Sequence, residues 1–252
     1  MIKVVILGSG NVAQHLIKVM KNSSTIDLVQ VFARNPKQLN LLLNSTKVIS
    51  DYQKIAAADV YIISVSDNAI AEVSGKLPFE NRLVIHTSGS SPLSVLSNKN
   101  RKGVFYPLQT FTKGKDVDFS PIPICIEAEN EQDIQLLETL ALAISKKKFK
   151  INSEQRKSLH VAAVFVCNFV NHLYQIGNEI CETNQIPFEV LHPLIQETAQ
   201  KILEIKPKES QTGPAMRNDT KTIEKHLDFL SDENYRTIYK LLTQSIQNGN
   251  KL

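Results

Sequence analysis

The first half of the chain alternates short apolar runs with stretches in which apolar residues recur every three to four positions. Residues 2–7 form a β-branched run that stops at a glycine, and 12–20 then carry helical spacing. The same reading predicts strands at 27–33, 47–49, 60–65, 83–86 and 104–106, and helices at 36–43 and 69–77. Strands at 122–127 and 149–151 flank a further helix at 131–144. Strands separated by helical patterns signal βαβ units and therefore a mostly parallel, doubly wound α/β sheet.

The texture changes near Asn152. Beyond it the pattern is helical almost throughout, at 154–183, 187–203 and 219–242, with a turn-rich SQTGP segment at 210–214. Two domains are therefore expected, residues 1–152 and an all-α domain at 153–252. The tail from 247 onward is expected to fray. Hydrophobic residues make up 42% and charged residues 21% of 252, ordinary values for a globular protein. A net charge of +4, no tryptophan and no basic run interleaved with aromatics argue against a nucleic-acid partner. The run Lys146-Lys147-Lys148 reads as a solvated edge or turn. Cys125, Cys167 and Cys181 show no metal-ligand spacing, so no metal is expected, and they suit a reducing, cytoplasmic setting. The first apolar run is too short for a signal peptide. No stretch approaches the ~20 apolar residues of a membrane helix, so no membrane partner is expected.

Chemistry enters at Gly8-Ser9-Gly10-Asn11-Val12-Ala13, a G-x-G-x-x-A pattern that ends one strand and opens a helix. Gly8 allows the tight turn, Gly10 lets a pyrophosphate approach the backbone, and Ala13 lets the helix pack closely on the strand. The helix N-terminus supplies N–H groups and a positive dipole end. This is the fingerprint of a Rossmann dinucleotide site. An acidic residue at the end of the second strand would hold a ribose 2′-hydroxyl. Arg34 stands there instead, either to accommodate the 2′-phosphate of NADP(H), the preferred reading, or simply as a solvated loop residue. Ligands of such sheets lie beyond the carboxyl ends of the strands. That rule brings Ser64, Val65 and Ser66 to the cofactor, with Asp67 either on the cleft or merely capping a helix. It brings His86, Gln109 and Thr110 toward the substrate, with His86 alternatively a structural histidine.

The long helix from Glu154 is mostly apolar, yet His160, Asn168 and Asn171 share one face with Val164 and Cys167. A polar line on an apolar helix indicates either a substrate site or hydrogen bonding between helices. In the segment 211–226, Arg217 either binds an anionic substrate group or pairs with Asp219, and Asp219 or Thr220 caps the last helix.

The combination of GSGNVA, HTSGS, YPLQTF, LHVAAVFVCNFVNHLY and GPAMRNDTKTIEKHL resembles, over nearly the whole chain, bacterial proteins that couple a Rossmann-like domain to a helical domain of unknown function. These are treated as NADP oxidoreductases. The resemblance implies a wider superfamily of pyrroline-5-carboxylate reductases, prephenate dehydrogenases, β-hydroxyacid dehydrogenases and deazaflavin-dependent NADP reductases, with a helical half like that of 6-phosphogluconate dehydrogenase. It further implies a homodimer formed through the helical domain and an active site between the domains. One departure limits the analogy. β-Hydroxyacid dehydrogenases carry a lysine and an asparagine one turn apart on the interdomain helix, whereas Lys157 here has Val161 one turn on.

The expected function is NADP-dependent hydride transfer to or from a small carbonyl or imine metabolite in the interdomain cleft. His160 is the first candidate acid/base and His86 the second, since an imidazole ordinarily titrates near neutrality. Asn168 joins them in catalysis, and Gln109, Asn171 and Arg217 are candidate substrate contacts. The rival expectation is a non-catalytic NADP(H)-binding sensor or regulatory dimer, which needs no proton donor.

Overall fold

The computed structural model describes residues 1–35, 39 and 47–249. The helix expected at 36–43 lies, apart from Leu39, outside the described residues.

Among these, the strands are β1 (Ile2–Leu7), β2 (Ile26–Phe32), β3 (Val48–Ile49), β4 (Val60–Ile63), β5 (Leu83–His86), β6 (Arg101–Pro107), β7 (Pro123–Ala128) and β8 (Lys147–Lys150). They form one sheet in the order β3-β2-β1-β4-β5-β6-β7-β8. Every neighbouring pair is parallel except β6–β7. The order reverses between β1 and β4, and the crevice beyond their carboxyl ends is the binding position of a doubly wound fold.

Alternation along β1 sorts its side chains into two cores. Val4 and Ile6 pack with Ala13, Leu16, Ile17 and Met20 of helix α1 (Asn11–Lys21) and with Ile134 and Leu137 of α3 (Glu131–Leu142). Val5 and Leu7 face the opposite layer with Tyr61, Ile63 and Val84, covered by Ile70 of α2 (Ile70–Gly75). A sheet buried on both faces explains why β1, β4 and β5 read as continuous apolar runs. Lys147 and Lys148 of the lysine run lie on β8, at the edge of the sheet, with Lys146 just before it and Lys148 paired to Glu138 at 2.6 Å.

After the sheet come α4 (Ser153–Ala163), a π-helical turn Val164–Phe169 and α5 (Val170–Thr183). The packing divides the chain into two compact units, Met1–Cys167 and Asn168–Leu252. The helical run Ser153–Thr183 is long and apolar enough, by length and composition, to cross a bilayer. This corrects the expectation that no stretch approaches a membrane helix; Asn168, Asn171 and His172 lie within a run whose average is still apolar.

The second unit continues with α6 (His192–Glu204), the single turn α7 (Pro207–Ser210), α8 (Thr220–Phe229) and α9 (Glu233–Gly249). The single helix expected at 219–242 is thus two. Asp219 caps α8 by accepting the Thr222 N–H at 3.2 Å. Asp232 accepts the Tyr235 N–H at 3.0 Å and starts a new helix. Short polar side chains that capture backbone donors break a helix that apolar periodicity alone would continue.

Candidate functional site

A cavity of about 750 Å³ opens over the β1–β4 crevice, a size ordinary for a cofactor site. The glycine-rich loop forms its floor. Gly8 has φ +144°, and a methyl group there would stand 1.9 Å from the Ser64 carbonyl oxygen. Only glycine lets β1 turn this close to β4. Gly10 differs: a Cβ built on it meets no protein atom within 4 Å, so the space it would enter is cavity. Gly10 is also the N-cap of α1, with no capping side chain and no acid in the first turn, so the positive end of the helix is left for a ligand. Gln14 steadies the loop through the Ser9 carbonyl (2.8 Å), and Asn11 ties it to the Phe111 carbonyl (3.2 Å).

The walls bring together most of the residues expected from the sequence. Ser9, Asn11, Val12, Arg34, Ser64, Val65, Ser66, Gln109 and His160 all line this one cavity with Gly8 and Gly10. Ala13 does not; it is fully buried and packs α1 against the sheet. Ser64 is buried and accepts the Thr87 hydroxyl at 3.2 Å. Ser66, rather than Asp67, occupies the N-cap position of the turn Asp67–Ala69, with no side-chain capping bond, and the Asp67 carboxylate accepts the Ser90 hydroxyl.

His86 lies off the cavity. It is fully buried, and its Nδ1 accepts the Ser88 N–H at 3.1 Å. Burial above all, then the Arg156 charge, lowers its pKa to about 4, against opposing pulls from the Pro92 carbonyl and Asp67. Because it does not line the cavity, His86 is not placed to give a proton to a substrate there, and this favours its structural reading. Asn168, Asn171 and Arg217 fall in the second unit, where each is exposed. Arg217 contributes to lowering the Asp219 carboxyl, after the Thr222 hydroxyl and N–H.

Two features were not assigned from the sequence. The first is Tyr106, on the cavity wall, whose hydroxyl lies 3.2 Å from His160 Nδ1. Burial pushes its phenol up to about 12, with Cys125 adding and Arg156 opposing, so it stays protonated. Its position at the end of β6, beside Gln109, was the signal available. The second is Arg156, one turn before His160 on α4 and 1% exposed. Its guanidinium pairs with Glu127 of β7 and donates to the Ser91 carbonyl at 2.6 Å. Glu127 also accepts the N–H and hydroxyl of Ser153, the first residue of α4. An Asn152–Gln155 capping box completes the start of this helix. A buried charge held on several sides fixes the rotation of α4, and with it His160. No pattern in the sequence marked Glu127 and Arg156 as partners.

A Rossmann sheet with a glycine cradle at its switch point, a basic residue at the ribose position and a polar pair farther along the same cavity define a dinucleotide-dependent oxidoreductase. Residues 3–89 match the family described as NADP oxidoreductase, coenzyme F420-dependent, and residues 122–246 match a domain of unknown function, DUF2520. The chain is 39% identical to BF3122 of Bacteroides fragilis, a protein assigned as an NADP oxidoreductase, over 98% of both chains with a TM-score of 0.89. This chain belongs to that family of NADP oxidoreductases. An imine reductase of Myxococcus stipitatus in complex with NADP+ has the same fold (TM-score 0.68, 12% identity, 99% of this chain and 94% of that one). So does a Plasmodium falciparum pyrroline carboxylate reductase with NADP bound (TM-score 0.61, 11% identity, 98% of each). A search of curated proteins gave no match. The cofactor is NADP(H), and the residues present fit it. Gly10 leaves open cavity that a Cβ would enter, the N-terminus of α1 has no capping side chain, and the cation of Arg34 lines the same cavity.

Proposed function

We propose that this oxidoreductase interconverts a small carbonyl or imine metabolite and its reduced form, with His160 as the group that exchanges the proton. The carrying observation is the Tyr106–His160 pair on the wall of the cavity that holds the glycine loop. In this reading residues 8–12, Arg34 and Ser64 to Ser66 hold the cofactor, and Gln109 orients the substrate. Bound NADPH supplies a hydride and its electron pair to the substrate carbon. The chain's own task is then to place a proton on the substrate heteroatom. His160 does so from Nε2, because Nδ1 is engaged by Tyr106. In this reading the Tyr106 hydroxyl accepts from Nδ1–H both before and after Nε2 gives up its proton, so the ring is held through the transfer. A phenol pushed up to about 12 remains neutral throughout and keeps the ring oriented.

The test is loss of NADPH absorbance against panels of carbonyl compounds and imines, run beside the same panels with His160→Ala. Turnover in the wild type that collapses in the variant supports the reading. Equal turnover in the two proteins removes His160 from the chemistry.

We infer also that the helical half pairs with a second copy and that the protein works in the cytoplasm. Leu203 is 80% exposed and Phe229 62%, and Val190, Leu194 and Leu241 are similarly bare. Apolar surface on that scale ordinarily marks an interface. The three cysteines are free thiols, in keeping with a reducing compartment.

A further inference from the structure

The cavity end that carries Arg34 holds a second cation whose role the cofactor fingerprint does not assign. Lys76, at the C-terminus of α2, lines this end together with Glu72, Tyr52 and Arg34. Its ammonium lies 2.5 Å from Glu72 Oε1, an i,i+4 pair with both side chains more than half exposed. The Tyr52 ring packs on Phe32 at the end of β2, with centroids 4.3 Å apart, and so borders the same patch. Arg34 lies close enough for its charge to act on Glu72, Lys76 and Tyr52 alike. Two cations and one carboxylate therefore line the same cofactor cavity.

An exposed pair of this kind holds its ammonium only weakly. A phosphomonoester brings nearly two negative charges and three acceptor oxygens, and it outcompetes a single carboxylate for the ammonium. We propose that Lys76 is a second ligand of the cofactor's 2′-phosphate beside Arg34, and that Glu72 is the internal anion which holds the ammonium until the phosphate takes it. Glu72 then opposes the phosphate, and affinity is set by the balance of the three charges. The proposal rests on the reading of Arg34 as the 2′-phosphate residue.

The probes are 2′,5′-ADP and 5′-AMP, which differ in the phosphate alone, titrated by calorimetry into the wild type and three variants. Circular dichroism checks the fold of each. The wild type is expected to prefer 2′,5′-ADP, and Arg34→Glu to lose that preference. Lys76→Met is expected to weaken 2′,5′-ADP about tenfold, the lower end for a charge-assisted contact, with 5′-AMP within about twofold. Glu72→Gln is expected to tighten 2′,5′-ADP by about twofold or more. If the wild type shows the preference, Arg34→Glu abolishes it and Lys76→Met leaves it intact, Lys76 is not a ligand and the proposal is overturned alone. If Glu72→Gln weakens 2′,5′-ADP, the opposing role of Glu72 is wrong. If the wild type shows no preference, the Arg34 reading fails and this inference goes with it.

Discussion

The Tyr106 hydroxyl lies 3.2 Å from His160 Nδ1, and this contact exists because residue 89 is a glycine. A Cβ at Gly89 would stand 2.6 Å from His160 Nδ1 and 2.8 Å from Tyr106 Cζ. Both rings would have to move to admit it. Gly89→Ala is therefore expected to part the pair while sparing the glycine cradle across the cavity. NADPH affinity should stay within about threefold of the wild type, and the imidazole signals of His160 in NMR should shift. Unchanged His160 signals in a folded variant would show that Gly89 does not set the pair.

His160→Ala removes the ring itself. NADP(H) affinity is expected to hold within about threefold, since the cradle and Arg34 are untouched. Turnover should fall by roughly 10² to 10⁴, the range for a lost general acid. Stopped-flow measurement at saturating cofactor separates the two effects. A loss confined to cofactor affinity would mean that His160 binds rather than reacts.

Gly8 and Gly10 are expected to fail in opposite ways. At Gly8 any side chain collides with the Ser64 carbonyl and must adopt φ +144°, so Gly8→Ala should lower the melting temperature or prevent folding. At Gly10 a side chain meets no protein atom within 4 Å. Gly10→Val should fold normally and lose dinucleotide binding, because the added atoms occupy the pyrophosphate position. Thermal melts and NADPH titration on the two proteins decide it. A folded Gly10→Val that binds NADPH like the wild type would mean the loop is not the cradle.

Much of this was legible in the sequence, for local reasons. The β1 run, the glycines and the helix after them are fixed by short-range periodicity and turn chemistry, and they mark the cofactor end without tertiary information. Arg34 and Gln109 followed from one rule, that ligands gather beyond strand ends. The same rule offered His86 as a cleft residue, with a structural histidine as the alternative, and the ring lies off the cavity. Strand ends fix where a residue begins, but the ring turns inward to the Ser88 N–H, and burial then keeps it neutral. Tyr106, Arg156 and Glu127 needed contacts across 29 or more positions (54 for the tyrosine) that no periodicity encodes. The break between α8 and α9 was missed because Ser231 and Asp232 interrupt the helix without interrupting its apolar spacing.

The exposed apolar side chains of the second unit lead to a further expectation. Sedimentation equilibrium at micromolar concentration should give a dimer, and charge placed on the face, as in Leu203→Glu with Phe229→Glu, should give a folded monomer. The same wild-type sample should stay in the supernatant when mixed with vesicles of neutral lipid. A wild-type monomer would refute the dimer. Cosedimentation with vesicles would instead assign the apolar helical surface to a bilayer.

His86 carries the expected pH dependence of stability. Unfolded, its imidazole takes up a proton near pH 6.5; folded, it does so only near pH 4. Above about pH 6.5 the ring is neutral in both states and has no effect on the balance. Between the two values the unfolded chain binds a proton that the folded chain refuses, so stability falls as pH falls. Below about pH 4 both states are protonated and the loss is complete. At 1.36 kcal/mol per pKa unit the whole window is worth about 3 kcal/mol. Urea unfolding of the wild type and His86→Asn, stepped from pH 7 to pH 4, measures it. Asparagine keeps an acceptor within reach of the Ser88 N–H but does not titrate. The wild type should lose about 3 kcal/mol more than the variant across the window, with the difference vanishing above about pH 6.5. Parallel curves would mean that the buried ring accepts its proton as readily as the unfolded one, and His86 would return as a candidate donor.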